Sequence, residues 1–543
     1  MSYSPDEKTY KEGSYAKENT VVEEVQYGED TNAFGQRSNE KLKPALDNRH
    51  LAMISIGGVI GTGLFLGTAG SLARGGPLGL WMGYILMGSI CYAMMMCLGE
   101  MISYLPIPGG HIKLAERFVD PALGFAMGWN YFYNWAIVLP AELAAAATLI
   151  GFWSDLNPAI WISICLVIVI VINFFGARAY GETEFWFCSI KVITIVGLLI
   201  LSFLLDVGAV GNRRGFQYWK NPGPFVQYLG IEGAWGRFLG FWSVLINAGF
   251  SFIGTEIVAM AAAEARNPRR ALPKAVSKVW IRILFFYILG TLAVGVLVPS
   301  NEPQLTKGAQ ANKSAFVIAI RDAGIKGLPS VINAALVTSA TSAASSDLYT
   351  SSRALYSLAL AGNAPRIFAK TLKNGLPLPS LIVSALFSGL AYLSVATSSN
   401  QVFGWLQGLT SICGLLSWWA ISLTYLRFYK GTKVQGIDRT AMPFHSKLQP
   451  FLGYWSLGWT TIVMLFCGFK NFIHGHWDQA DFVTSYFPLP LFIVIWIGYK
   501  LFYRTRVVKA DEMDFYTGIK EILEAEEPEK PPKNLWEKFW AWL

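Results

Sequence analysis

The sequence predicts an all-α polytopic membrane protein with twelve transmembrane helices. Three observations carry this. Of 543 residues, 53% are hydrophobic and only 15% charged, against about 25% charged in an average soluble domain. The apolar residues fall into blocks of about 20, the length that spans a bilayer core as a helix. Two of those blocks, five apart in order, are interrupted by glycine at a similar depth. Twelve such blocks cannot all be core helices of soluble domains.

In chain order, residues 1–50 are polar, acidic-rich and poor in large apolar groups, so the expectation is a disordered N-terminal tail. Lys8, Lys11 and Lys17 are candidate modification targets there, which would make a ubiquitin ligase a partner of the tails; a plain solvated tail fits the composition equally well. No cleavable signal peptide is evident, so the first block serves as the insertion signal. The transporter-like part covers 51–503, with blocks at 51–73, 78–104, 123–152, 158–175, 184–208, 237–262, 280–299, 328–360, 379–398, 402–428, 453–474 and 483–503. Residues 504–543 form a second tail. Its final run places Leu535, Trp536, Phe539, Trp540 and Leu543 near one helical face, suited to an interfacial helix or to packing on the protein itself.

The net charge of +8 does not point to nucleic acid, because the basic residues gather at block ends. Arg49 precedes block 1, Lys113 and Arg117 follow block 2, Lys274 and Arg282 follow block 6, and Arg366, Lys433 and Arg504 follow blocks 8, 10 and 12. With twelve crossings these sites share one side, which the positive-inside rule makes cytoplasmic, together with both termini. Asn312-Lys313-Ser314 is a glycosylation sequon in the outer loop 300–327. All six cysteines lie in apolar blocks and read as buried thiols rather than a disulfide framework.

Block 1 carries GGVIGTG and block 6 carries FSFIGTE. Interrupted helices in matching positions of two halves are the signature of an inverted-repeat transporter. At this point a family is visible in the residues. GGVIGTGLFLG (57–67), GEMISYLPIPGG (99–110), ALGFAMGWNYFYNW (122–135), EFWFCSIKVITI (184–195), GFQYWKNPGPF (215–225), FSFIGTEIVAMAAAEARNPRRALPKA (250–275) and SSDLYTSSRALYSLALAGNAPRIF (345–368) occur in order across roughly 45–505. The chain resembles fungal amino-acid permeases of the amino acid–polyamine–organocation superfamily. The resemblance implies a LeuT-type fold, a 5+5 inverted repeat with discontinuous helices 1 and 6 plus two further helices. It also implies import of amino acids with protons, most naturally at the plasma membrane.

The glycines then acquire a role. Each weakens a helix by roughly 1 kcal/mol relative to alanine. If block 1 unwinds near Gly61 and Gly63, its second half begins inside the membrane, with unpaired N–H groups and a positive dipole end. That end attracts an anion, so Gly61, Thr62 and Gly63 are assigned to the substrate α-carboxylate. Close helix packing on small residues is the alternative. In block 6, unwinding at Phe252, Ile253, Gly254 and Thr255 frees carbonyl oxygens for the substrate ammonium, tolerated only where the backbone lines a cavity. Phe252 would cover the substrate as an aromatic gate, with ordinary packing as the competing role.

Ionisable residues at membrane depth mark function by default. Glu142, Lys191 and Glu256 are the candidates for proton coupling, with buried pairing that fixes helix register as the alternative. In related transporters a lysine at this place in helix 5 contacts the broken stretch of helix 1 and substitutes for a sodium ion; the resemblance carries that role to Lys191. Asp347 is weighted toward helix packing. Glu100, Glu264 and Arg353 lie nearer helix ends and read as structural or gating residues. No catalytic residue, cofactor or metal is expected: His474 and His476 are too few ligands for a metal site, and no GK[ST] phosphate loop occurs. The expected partners are an amino-acid substrate, protons and the lipid bilayer, with no nucleic acid. Competing classes are a non-transporting amino-acid sensor on the same fold, an amino-acid exchanger or polyamine carrier, and an integral membrane enzyme. The last would want clustered His, Asp or Glu, which only five scattered histidines do not supply.

Overall fold

The computed structural model describes residues 61–519 except 108, 176, 210–212, 258–268, 270–272, 274–275, 277, 306–313 and 373–374. The tail 1–50, Glu264, the sequon at Asn312 and the aromatic run at 534–543 lie outside the described residues. Among those described, the secondary structure is helical, with no strand. In order the helices are α1 Gly63–Tyr104, α2 Gly110–Phe118, α3 Pro121–Ile150, α4 Pro158–Phe174, α5 Ala177–Val207 and α6 Gly233–Phe252. They continue with α7 Val279–Leu297, α8 Ala315–Asp322, α9 Leu328–Leu360, α10 Leu378–Val395, α11 Ser399–Val434, α12 Phe451–Leu465 and α13 Gln479–Tyr503.

Every predicted block meets one of these helices, yet only eight are long and apolar enough by themselves to cross a membrane. The difference has three causes. Blocks 1 and 2 are the two arms of α1, helices joined by a turn too tight to leave a gap between them. Gly76 leaves the helix at φ +74° and ψ 172°, and Pro77 starts the second arm with no amide to lose. The arms run back along each other: the Tyr84 hydroxyl reaches the Gly63 carbonyl at 3.5 Å, whereas a straight helix would separate these residues by about 31 Å. Only glycine fits at the turn, since a Cβ on Gly76 would lie 2.7 Å from the Pro224 carbonyl oxygen. The second cause is composition. α9 has 33 residues but is rich in serine and threonine, which lowers its hydropathy. The third is length, since α4 and α12 have 17 and 15 residues.

α3 occupies the middle of the bundle. Asp120 caps it by accepting from the Ala122 amide at 2.9 Å, with Pro121 in the first turn, a favoured helix start. Its Ala144, Ala145 and Ala146 are fully buried, letting neighbouring backbones approach. α3 packs on α9 and α11, and α1 packs on α6. The outer helices show the opposite pattern. Val167 and Val171 on α4, Ile193 and Phe203 on α5, and Val494, Leu501 and Phe502 on α13 are exposed. Apolar faces of that extent are stable against lipid, not water.

One end of the bundle is closed by the chain's own C-terminal segment. The Val508 amide donates to the Val119 carbonyl at 2.9 Å, Gln435 Nε2 donates to the Met513 carbonyl at 2.7 Å, and Arg117 donates to the Thr517 carbonyl at 3.0 Å. Phe515 is fully buried, its ring 5.0 Å from Phe118 and 5.4 Å from Phe428. The segment from 505 to 519, predicted as the start of a tail, is thus packed as a strap. Glu100 is buried at the same end. It accepts from Arg439 Nε at 2.6 Å and Nη2 at 3.0 Å, from Tyr425 Oη at 2.9 Å and from the Ser446 amide at 3.2 Å. The structural role predicted for Glu100 matches that network. The cysteines are free thiols, five buried and Cys467 partly so.

Candidate functional site

α6 stops halfway along its apolar run. Ile253 turns out of the helix at ψ 141°, and Gly254 follows at φ +93°, a conformation that side chains disfavour. Helical geometry resumes at Thr255–Ile257. The Thr255 hydroxyl donates to the Phe252 carbonyl at 2.6 Å, and the Ile257 amide reaches back to the Gly254 carbonyl at 3.0 Å. The break thus takes the chain out of helical geometry at Ile253 and Gly254, inside the predicted stretch 252–255, while Phe252 and Thr255 are helical. Its counterpart in block 1 sits at the edge of the described residues: Gly61 is non-helical, helical structure begins at Thr62, and Gly63–Gly67 form a π-turn.

The two places meet. A Cβ on Gly63 would lie 2.6 Å from the Ser251 hydroxyl and 2.9 Å from its Cα, so the α1 backbone rests directly on α6. Tyr84 ties the junction together. Its hydroxyl is 2.8 Å from the Ser251 hydroxyl and accepts from Asn247 Nδ2 at 2.9 Å, and Gln407 on α11 donates to Asn247 in turn. Gly63 thus allows a close helix approach, while Gly61 faces elsewhere: its Cβ position is 3.5 Å from Glu142 Oε1. Phe252 is fully buried, its ring 4.2 Å from Tyr287 and 5.9 Å from Tyr84, so it is stacked in an aromatic trio beside the break.

The predicted ionisable residues separate into two groups. Glu142 on α3 accepts from the Thr62 hydroxyl at 2.9 Å, so its carboxylate stands at the start of α1. Lys191 on α5 is buried, with its Nζ 3.8 Å from Glu184 Oε1; Glu142 and Asp347 also act on it electrostatically. Glu142 Oε2, Lys191 Nζ and Asp347 Oδ2 have no hydrogen-bond partner among the described residues. Glu256, by contrast, accepts from Trp418 Nε1 at 3.2 Å and takes no part in this cluster.

Glu184 was not singled out from sequence, although residues 184, 188 and 191 lie on one stripe of a helix at i, i+4 and i+7. Asp347, assigned to packing, faces the same group. No cluster of three or more metal-ligating side chains occurs among the described residues.

A broken helix and a partly unsatisfied charge cluster, enclosed by apolar-faced helices, are features of a solute carrier rather than of an enzyme. A family model described as "Amino acid permease" matches residues 50–512. The chain belongs to the amino acid permease family. This permease is 41% identical to the dicarboxylic amino acid permease of Saccharomyces cerevisiae, over 92% of its own length and 84% of the relative's. It is 40% identical to the proline-specific permease of Emericella nidulans over 95% and 96%, and 39% identical to the lysine-specific permease of Saccharomyces cerevisiae over 93% and 83%. Those three relatives are named for acidic, imino and basic substrates, so overall identity does not choose a side chain for this permease. Membership does make it an integral membrane transporter and not an enzyme.

Proposed function

We propose that the permease imports an amino acid together with a proton, through twelve membrane crossings with both termini in the cytoplasm. The count follows if the two antiparallel arms of α1 each cross, and if α9, α4 and α12 cross with the other apolar helices. On this reading the bundle is of LeuT type, with helices 1 and 6 discontinuous and two further helices. The same reading puts the chain in the plasma membrane, its N-terminal lysines within reach of a ubiquitin ligase.

The observation that carries the coupling is the Glu142 carboxylate at the start of α1. A helix start offers its free amides to an anion. An α-carboxylate bound by the amides of Gly61, Thr62 and Gly63 would sit beside Glu142, and two like charges so close repel. A proton on Glu142 Oε2 removes that repulsion and turns the carboxyl group into a donor. Substrate and proton then favour each other's binding, which is the thermodynamic content of symport. The ammonium is accepted by carbonyl oxygens of the 252–255 break, and Phe252 gates the site by leaving its stack. Lys191 balances the negative charge while the proton is absent. Glu256 keeps a secondary place as a proton carrier, because it lies just past the same break.

Uptake of radiolabelled amino acids into vesicles under an imposed pH gradient tests this. Wild type should accumulate label, and collapsing the gradient should abolish accumulation; a sensor would take up none. Glu142→Gln, a neutral mimic of the protonated state, should still exchange label but no longer concentrate it. A Lys191→Met protein that reaches the surface and keeps full gradient-driven accumulation overturns the role of Lys191. Competition by each amino acid in turn identifies the substrate.

A further inference from the structure

Glu184 is held from two sides. Its Oε2 accepts from the Ser342 hydroxyl on α9 at 2.7 Å, and its Oε1 accepts from the Cys188 thiol one turn further along α5 at 3.1 Å. It is 2% exposed. The neighbouring Lys191 ammonium, at 3.8 Å, is beyond hydrogen-bond distance, so the two charges are paired without being locked.

Around them are Tyr180 and Cys188 on α5, Glu142 on α3 and Asp347 on α9. α4 contributes no charged residue, and the cation of α7, Arg282, lies with Cys91 and Tyr287 instead. Among the described residues, three carboxyl groups thus share one ammonium in a buried site. A buried cluster with that imbalance draws in positive charge. The ammonium has two kinds of partner on offer: Glu184, which is fixed in place, and the unsatisfied oxygens of Glu142 and Asp347.

We propose that Glu184 is a positioning residue for the coupled step: by holding the Lys191 ammonium on its own helix, it keeps that charge away from Glu142 and so leaves Glu142 Oε2 free to take the proton. With the proton aboard, Lys191 rests against Glu184. When the proton leaves Glu142 Oε2 for water, the ammonium swings to the Glu142 and Asp347 oxygens, while Glu184 keeps its bond to Ser342. Only one proton moves, and no bond other than the O–H is made or broken.

The inference rests on the proton-coupled reading, and the test separates the two. Purified protein in vesicles is assayed with a mixture of radiolabelled proteinogenic amino acids across a range of external pH. If wild-type uptake ignores pH, proton coupling itself fails. If wild type depends on pH, Glu184→Gln should move the half-maximal point about one unit toward acid, roughly a tenfold higher proton demand. Its exchange rate at saturating acidity should stay within about threefold of wild type, and Glu184→Asp should restore part of the shift. Ser342→Ala, a smaller change that keeps the carboxylate, should move the point in the same direction by less, and serves alone if Glu184→Gln does not fold. A pH profile that superimposes on wild type overturns the role. So does an equal loss at every pH that tracks a fall in thermal midpoint, as a purely structural residue would give.

Discussion

Glu100 and Glu142 are both buried carboxylates on long helices, yet their surroundings differ. Glu100, at the strap end, is saturated. Arg439 grips both oxygens while Tyr425 and the Ser446 amide supply further donors. Arg439 lies outside the spanning helices. Burial alone would lower its pKa, but the bonds from Glu100 and the nearby Tyr425 hold it above the ordinary arginine value. At mid-membrane, one oxygen of Glu142, one of Asp347 and the Lys191 nitrogen have no hydrogen-bond partner among the described residues. Each unmade bond costs about 1–3 kcal/mol. A saturated network has one good arrangement; an unsaturated one has several of similar energy and can move between them. On the proposed coupling, the strap end stays and the middle switches.

The largest effect that would break this comparison comes from the two carboxylates themselves. Glu100→Gln leaves Arg439 without its counter-charge and should cost about 3–5 kcal/mol, read as a lowered thermal midpoint in detergent, with uptake per folded molecule preserved. Glu142→Gln should do the reverse, leaving the midpoint within a few degrees while abolishing accumulation. Exchanged outcomes would mean that the roles are exchanged.

Next in size is the strap. Phe515→Ala empties a ring-lined pocket among Phe118, Phe428 and Tyr104 and should cost about 3 kcal/mol. Hydrogen exchange should rise across 505–519 and stay unchanged around Lys191.

Smaller again is a pH effect at the strap end. His111 on α2 is buried against Tyr131, and burial pushes its pKa down to about 4. The folded value is below the unfolded one, so the neutral ring is the form the fold prefers. Its stabilising contribution is complete above about 6.5, the free-histidine value, and is lost as pH falls through the folded value. At pH 5 about 2 kcal/mol should be gone, seen as faster exchange in α2; His111→Phe should flatten that dependence.

The smallest expected change is at the exposed Lys113–Glu116 pair, 2.8 Å apart on the same helix. Lys113→Ala should cost no more than about 0.5 kcal/mol, and a larger loss would show that surface charge matters more at this end than packing does.

Much of this was legible in the residues. The blocks were found because apolar length is a local property, and the α6 break because Gly254 needs a positive φ that few other residues adopt. What misled was treating each ionisable residue as a separate candidate. The two antiparallel arms of α1 part at two residues, Gly76 and Pro77, inside what the sequence shows as a short polar gap. Glu184 sat in a quoted motif without being singled out, since nothing local says that the 184–188–191 stripe faces Ser342 and Asp347 rather than lipid.

By itself, then, the sequence determined a helical membrane protein of the permease family, roughly where its apolar spans lie, and the glycine at which α6 comes undone. Those depend on residues a few places apart. Only the tertiary structure decided that Glu142 meets Thr62, that Lys191 shares a site with Glu184 and Asp347, and that Glu256 leaves them for Trp418. Such partnerships depend on how helices far apart in the chain are rotated and crossed, and the packing of the whole bundle sets that.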